Sequence, residues 1–145
     1  AALGALSLGA PAVLGQAKQR VVVIGGGPGG ATAAKYLARD SKGALDVALV
    51  EPTRQFTTCF HSNLYLGGFK NFESITHGYD KLAPYGVTLN HQMAQTIDRD
   101  KKSVRLTDGS DLSYDRLVVA PGIDLKYDSV PGVGKEHDKK TTHAV

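Results

Sequence analysis

Unbroken apolar runs, rather than alternating ones, mark the strands of this chain. Val21 to Ile24 is a run of β-branched residues, the pattern of a strand buried on both faces of a parallel sheet. Glycines follow at once, and the Ala-rich stretch from Ala31 to Arg39 predicts a helix that opens inside them. Asp46 to Glu51 predicts a second strand, which completes a βαβ unit in about thirty residues. From Pro52 to Lys70 no period is visible, so the pattern there predicts a loop with a short helical turn. Phe72, Ile75, Tyr79 and Leu82 then recur at the spacing of one helix face, predicting a helix that ends around Pro84 to Gly86. Val87 to Leu89 reads as a strand, and Ala94 to Leu112 as a small antiparallel meander turning at charged residues and at Asp108-Gly109. Leu117 to Ala120 is again a buried strand, ended by Pro121-Gly122. The sum is an α/β fold: a Rossmann-like domain with a parallel sheet and a small antiparallel β-meander.

At 145 residues the chain is expected to hold one domain, residues 18–130, and to be incomplete as a redox enzyme, since these usually need two or three. Residues 131–145 read as a linker toward a second domain. A hydrophobic content of 41% and a charged content of 21% argue against a disordered or fibrous class. The net charge of +3 comes from 17 basic residues interleaved with 14 acidic ones, which argues against a nucleic-acid patch. The five histidines have no ligand spacing among themselves or with cysteine, so no metal site is expected.

Residues 1–17 carry no charge, are rich in Ala, Leu and Gly, and end in Gly15-Gln16-Ala17 before the charged chain begins at Lys18. They read as the remnant of an export signal, too short and Gly/Ala-rich for a membrane span, with a flexible arm as the alternative. Export by the twin-arginine route to the periplasm is the resulting expectation. Cys59 is the single cysteine, which excludes an internal disulfide.

The strongest local signal is Gly25-x-Gly27-x-x-Gly30, with Pro28 and Gly29 inside it. Gly25 permits a tight turn, Gly27 lets backbone approach a diphosphate, and Gly30 lets helix and strand pack closely. The helix N-terminus adds N–H donors and a positive dipole end. Glu51 closes the second strand about twenty residues on, where an acid accepts hydrogen bonds from a ribose and disfavours a 2′-phosphate. These residues point to FAD or NAD rather than NADP.

The stretch Ser113-Tyr114-Asp115-Arg116-Leu117-Val118-Val119-Ala120-Pro121-Gly122 resembles the second motif of the two-dinucleotide-binding-domain flavoproteins, the wider family of glutathione reductase. The resemblance implies FAD, with Ala120 and Gly122 close to it and the backbone near Ala94 meeting the adenine. The loop from Phe56 to Gly68, together with Glu73-Ser74-Ile75 and His77-Gly78-Tyr79-Asp80, is similar to the flavoprotein subunits of flavocytochrome c sulfide dehydrogenases. It implies Pro52, Cys59 and Asn63 as further cofactor residues, Cys59 through a thioether to the flavin. Taken by itself, a lone cysteine reads equally as a small buried hydrophobe. His61 stands where an aliphatic residue is expected, facing either flavin or solvent.

That resemblance further implies oxidation of sulfide or another thiol, and a c-type cytochrome subunit as electron acceptor. The redox disulfide would lie outside these residues, and none of them is expected to be a catalytic acid, base or nucleophile. Two alternatives stand beside it. One is a sulfide:quinone reductase or type II NADH dehydrogenase-like enzyme, which the export signal and Cys59 disfavour. The other is a non-catalytic, truncated flavin-binding module, which flavin content would reveal.

Overall fold

The computed structural model describes residues 17–124, with Lys126 and Ser129 beyond them. The expectations of an export signal over 1–17 and a linker over 131–145 therefore lie, Ala17 apart, outside the described residues.

A parallel sheet of four strands carries the site. Its order is β5 (Val87–Asn90), β2 (Leu45–Val50), β1 (Gln19–Ile24), β9 (Arg116–Val119), every neighbouring pair parallel. The runs that predicted β1 and β2 are buried on both faces, because successive side chains point to opposite sides and each side is covered. Val21, Val23, Val47 and Leu49 face helix α1 (Pro28–Asp40) through its small residues Ala34 and Ala38, with Tyr79 and Leu82 in the same layer. Val22, Ala48 and Val50 face the other way, onto Val104 and Leu106. Those two residues belong to an antiparallel meander of β6 (Ala94–Asp98), β7 (Ser103–Leu106) and β8 (Asp111–Ser113). The architecture is thus the expected Rossmann-like α/β fold with its meander.

Two local expectations need correction. The segment from Phe72 to Leu82 is not one helix. It consists of two 3-10 turns, Phe72–Ile75 and Asp80–Tyr85, separated by strand β4 (Thr76–Gly78). The β-branched Thr76 and the poor helix former Gly78 go to a ladder with β3 (Gln55–Thr57), in which Phe56 pairs with His77. Ile75, Tyr79 and Leu82 are nevertheless buried. Phe72 is 45% exposed, so the spacing located three of its four inward residues and mistook the backbone that presents them. The second correction concerns 52–70, which contains β3 besides its helical turn, α2 (Ser62–Leu66).

Candidate functional site

Strands β1, β2 and β9 end side by side, and β1 lies between the other two, so the winding direction reverses there. Ligands of open α/β sheets bind in the crevice beyond the strand ends at such a point. Gly25 leaves β1 with φ +97°, and its N–H donates to the Val50 carbonyl at 2.9 Å. A Cβ on Gly25 would stand 2.1 Å from the Ala120 carbonyl oxygen, and one on Gly30 would stand 1.8 Å from the Gly25 oxygen. Helix, turn and strand end are in backbone contact, which requires glycine at both positions.

The outer side of the turn is open. Nothing lies within 4 Å of a Cβ built on Gly29, and a Cβ on Gly27 would meet only Phe56, at 3.9 Å. Gly27 is the N-cap of α1, and the first hydrogen bond into the helix runs from Ala31 N–H to the Gly27 carbonyl at 2.9 Å. The N–H groups of Gly29 and Gly30 have no protein acceptor among the described residues. Two donors at the positive end of a helix, beside glycines that leave room, form a cradle for an anionic group.

Glu51, the first residue after β2, is fixed rather than free. One carboxylate oxygen, Oε2, accepts from Gly26 N–H at 2.8 Å, and Oε1 accepts from the Thr53 N–H at 2.9 Å and the Thr53 hydroxyl at 2.7 Å. Burial pushes the carboxyl's pKa up, but the Thr53 and Gly26 donors and the His91 imidazole outweigh it, and the net shift is downward. His91 also tethers the segment, its Nδ1 lying 3.2 Å from the Glu51 carbonyl oxygen and 3.1 Å from that of Thr53. Glu51 is thus a charged acceptor held in place at the crevice, with one acceptor position on Oε2 still unused.

A cavity of about 380 Å³ adjoins the turn, with Gly26, Gly27, Pro28, Phe56, Thr58 and Phe60 in its wall. Cys59 lies between two of those residues and is exposed, so it is not the buried hydrophobe that a lone cysteine often is. Thr58 shapes this loop: its N–H donates to the Ile75 carbonyl at 2.9 Å, and its hydroxyl accepts from Phe60 N–H at 3.1 Å. His61, left open by the sequence, is exposed at the cavity rim in the left-handed region, with φ +69°.

The pattern of the pyridine nucleotide-disulphide oxidoreductases matches residues 19–145. The chain belongs to that family. The family is one of FAD-dependent oxidoreductases, and flavin is the cofactor it implies. Among its relatives, the mitochondrial sulfide:quinone oxidoreductase of Mus musculus is 31% identical over 113 residues, 78% of this chain and 25% of the relative. The flavoprotein chain of the flavocytochrome c sulfide dehydrogenase of Chlorobaculum thiosulfatiphilum is 56% identical over 45 residues, 31% of this chain and 92% of that one. The crystal structure of sulfide:quinone oxidoreductase from Aquifex aeolicus superposes with a TM-score of 0.66 at 30% identity, over 74% of this chain and 25% of that chain. The present chain therefore spans about a quarter of the length of the sulfide:quinone oxidoreductases it matches.

Within this family fold, the residues singled out in the sequence fall into three groups. Gly25, Gly27, Pro28, Gly29, Gly30, Glu51 and Ala120 meet at the strand ends. Gly122 follows two residues after Ala120 with φ +81°, and exposed Pro52 follows Glu51. Cys59 and Asn63 sit on the loop and short helix beyond β3, and Ala94 opens β6 against the second core layer. Sequence reasoning missed Thr53, His91 and Tyr79, which surround Glu51. Only Thr53 had a local signal, a hydroxyl residue two positions after an acid, the spacing of a side-chain-to-backbone turn. No helix among the described residues is long and apolar enough to cross a membrane.

Proposed function

We propose that this chain is the FAD-binding part of an exported sulfide dehydrogenase that passes electrons to a c-type cytochrome subunit. The observation that carries the reading is exposed Cys59, flanked by two residues of the cavity that adjoins the glycine turn. The match to the flavocytochrome c flavoprotein chain supports it. In this reading the Gly29 and Gly30 N–H groups hold the diphosphate, Glu51 accepts from the ribose, and Cys59 tethers the flavin covalently. The remaining cofactor contacts come from Gly25, Gly27, Pro28, Pro52, Asn63, Ala94, Ala120 and Gly122. FAD, when bound, supplies two-electron uptake from a reduced substrate and release of single electrons to an acceptor. The chain's own part is to hold the cofactor, exclude a 2′-phosphorylated nucleotide at Glu51, and prevent flavin loss outside the cell.

The residues fit such a cofactor: two free helix N-terminal donors, an open outer face at Gly27 and Gly29, and an ionised acid across the crevice. Acid precipitation of the full-length protein is expected to leave yellow colour in the pellet. The Cys59 peptide is expected to carry the added mass, and Cys59→Ser should release the FAD to the supernatant. Flavin found wholly in the wild-type supernatant would sink the tether.

A second reading, sulfide:quinone oxidoreductase, is favoured by two matches to such enzymes, which cover 78% and 74% of this chain. Sulfide-dependent reduction of a soluble c-type cytochrome is the expected activity of the full-length protein. Reduction of a quinone with no cytochrome reduction selects the second reading.

A further inference from the structure

Among the described residues, the Tyr79 hydroxyl is the buried side-chain polar atom that lacks a hydrogen-bond partner. The residue is only 5% exposed. Its phenolic end fills the place of a side chain on residue 26: a Cβ on Gly26 would lie 2.5 Å from the Tyr79 hydroxyl and 2.8 Å from Glu51 Cγ. The ring forms part of the wall of the apolar cavity and also of a polar one lined by Thr53, Arg54, Gln55, Asp80 and His91. A sealed, unpaired hydroxyl loses its hydration with nothing in return, and phenylalanine would fill the same space without that cost. Packing accounts for the ring and leaves the hydroxyl unexplained.

The open acceptor position on Glu51 is on Oε2, which takes one donor, Gly26 N–H, while Oε1 takes two, from the Thr53 N–H and hydroxyl. Tyr79 and the Glu51 side chain both close the space that a Cβ on Gly26 would need. The Tyr79 pKa is raised by burial and further by the Glu51 charge, against the opposing effect of the adjacent Thr53 side chain, so at neutral pH it is a donor.

We propose that Tyr79 is a positioning residue for the dinucleotide: in the cofactor-bound state its hydroxyl donates to the Thr53 hydroxyl, which itself donates to Glu51 Oε1, fixing the carboxylate and the Gly26 backbone and leaving the open Oε2 position to the ribose. The proposal rests on the FAD reading above. It adds to the glycine fingerprint a requirement at Gly26, set by Tyr79 and not by the ligand. Other titratable groups that face this pair are His91, whose ring is 6.2 Å from that of Tyr79, Arg54 and Asp80 in the polar cavity, and His77 and Lys81 in the apolar one.

The test is Tyr79→Phe in full-length protein carrying Cys59→Ser, so that FAD exchanges freely. FAD is titrated by fluorescence quenching across the pH range in which carboxylates ionise. The expected result is a Kd raised about three- to tenfold. The loss of affinity in acid is expected to become smaller, because the variant raises the pKa of Glu51 in the bound state and leaves the ligand-free value in place. Ligand-free Tm should stay level or rise. Unchanged affinity and an unchanged loss in acid overturn the proposal. A fall in ligand-free Tm with the loss in acid unchanged also overturns it, by making Tyr79 structural only. If the Cys59→Ser protein with Tyr79 intact binds no FAD, the flavin reading itself fails and this one falls with it.

Discussion

Alanine at position 30 is expected to leave the full-length protein poorly folded and flavin-free, while alanine at position 29 leaves folding intact. The two glycines are adjacent, both in the first turn of α1, and only one of them touches the rest of the fold. A Cβ at 30 would stand 1.8 Å from the Gly25 carbonyl oxygen, 3.0 Å from its carbon and 3.5 Å from Ala120 Cβ. The first two are backbone atoms of a turn that is itself held at φ +97° and pressed on the Ala120 carbonyl, so no flexible side chain can give way. Ordinary overpacking costs about 1–3 kcal/mol, and this contact belongs at or beyond the upper end. The helix can relieve it only by moving off the strand, which dismantles the cradle. At position 29 a Cβ meets nothing within 4 Å, and alanine favours a helix by up to about 1 kcal/mol. Thermal melts and the flavin-to-protein ratio of both variants check this. Wild-type Tm and flavin content in Gly30→Ala would refute the close-packing role. Flavin lost from Gly29→Ala at wild-type Tm would instead locate a contact made with the cofactor.

The contrast also shows which parts of the site a sequence can carry. Gly25 and Gly30 are legible because the constraint is local: a strand, a turn and a helix consecutive in the chain must meet backbone to backbone. β1 and β2 are legible because burial on both faces demands unbroken apolar runs; the same kind of run located β9 but overstated its burial, since β9 ends the sheet and Val119 is 55% exposed. The clamp on Glu51 is not legible. Gly26 reaches Glu51 from 25 residues away and His91 from 40, and neither partner breaks any local pattern. Tyr79 was hidden for a different reason. Its spacing from Ile75 and Leu82 is that of a helix face, which reports that a residue points inward but not that two short turns and a strand present it. The β3–β4 ladder is invisible for the same cause, since three-residue strands with one Gly carry almost no periodic signal.

Glutamine at position 51 is expected to weaken both the fold and flavin binding at neutral pH, and the difference from wild type should close in acid. The carboxylate accepts on both oxygens, from Gly26 N–H on one side and from the N–H and hydroxyl of Thr53 on the other. An amide offers only one acceptor oxygen. With that oxygen kept on Thr53, the NH2 group faces the buried Gly26 N–H, donor against donor, at about 1–3 kcal/mol. The reverse orientation loses two bonds in place of one. Bonds to a charged acceptor are also the stronger kind, so a ribose hydroxyl loses affinity along with the turn. The pH dependence follows from the sign of the Glu51 shift. Burial raises its pKa, but Thr53, Gly26 and His91 together bring it below the ordinary glutamate value of 4.5. A depressed folded-state pKa contributes stability that is fully present above the unfolded value and is lost as pH falls through the folded one. Wild-type Tm should therefore hold above pH 4.5 with respect to this group and decline below it, while Glu51→Gln starts lower and lacks that component of the decline. Melts of both proteins across the acid range give the gap as a function of pH. A gap that stays constant would mean that the shape of residue 51, and not its charge, organises the glycine turn.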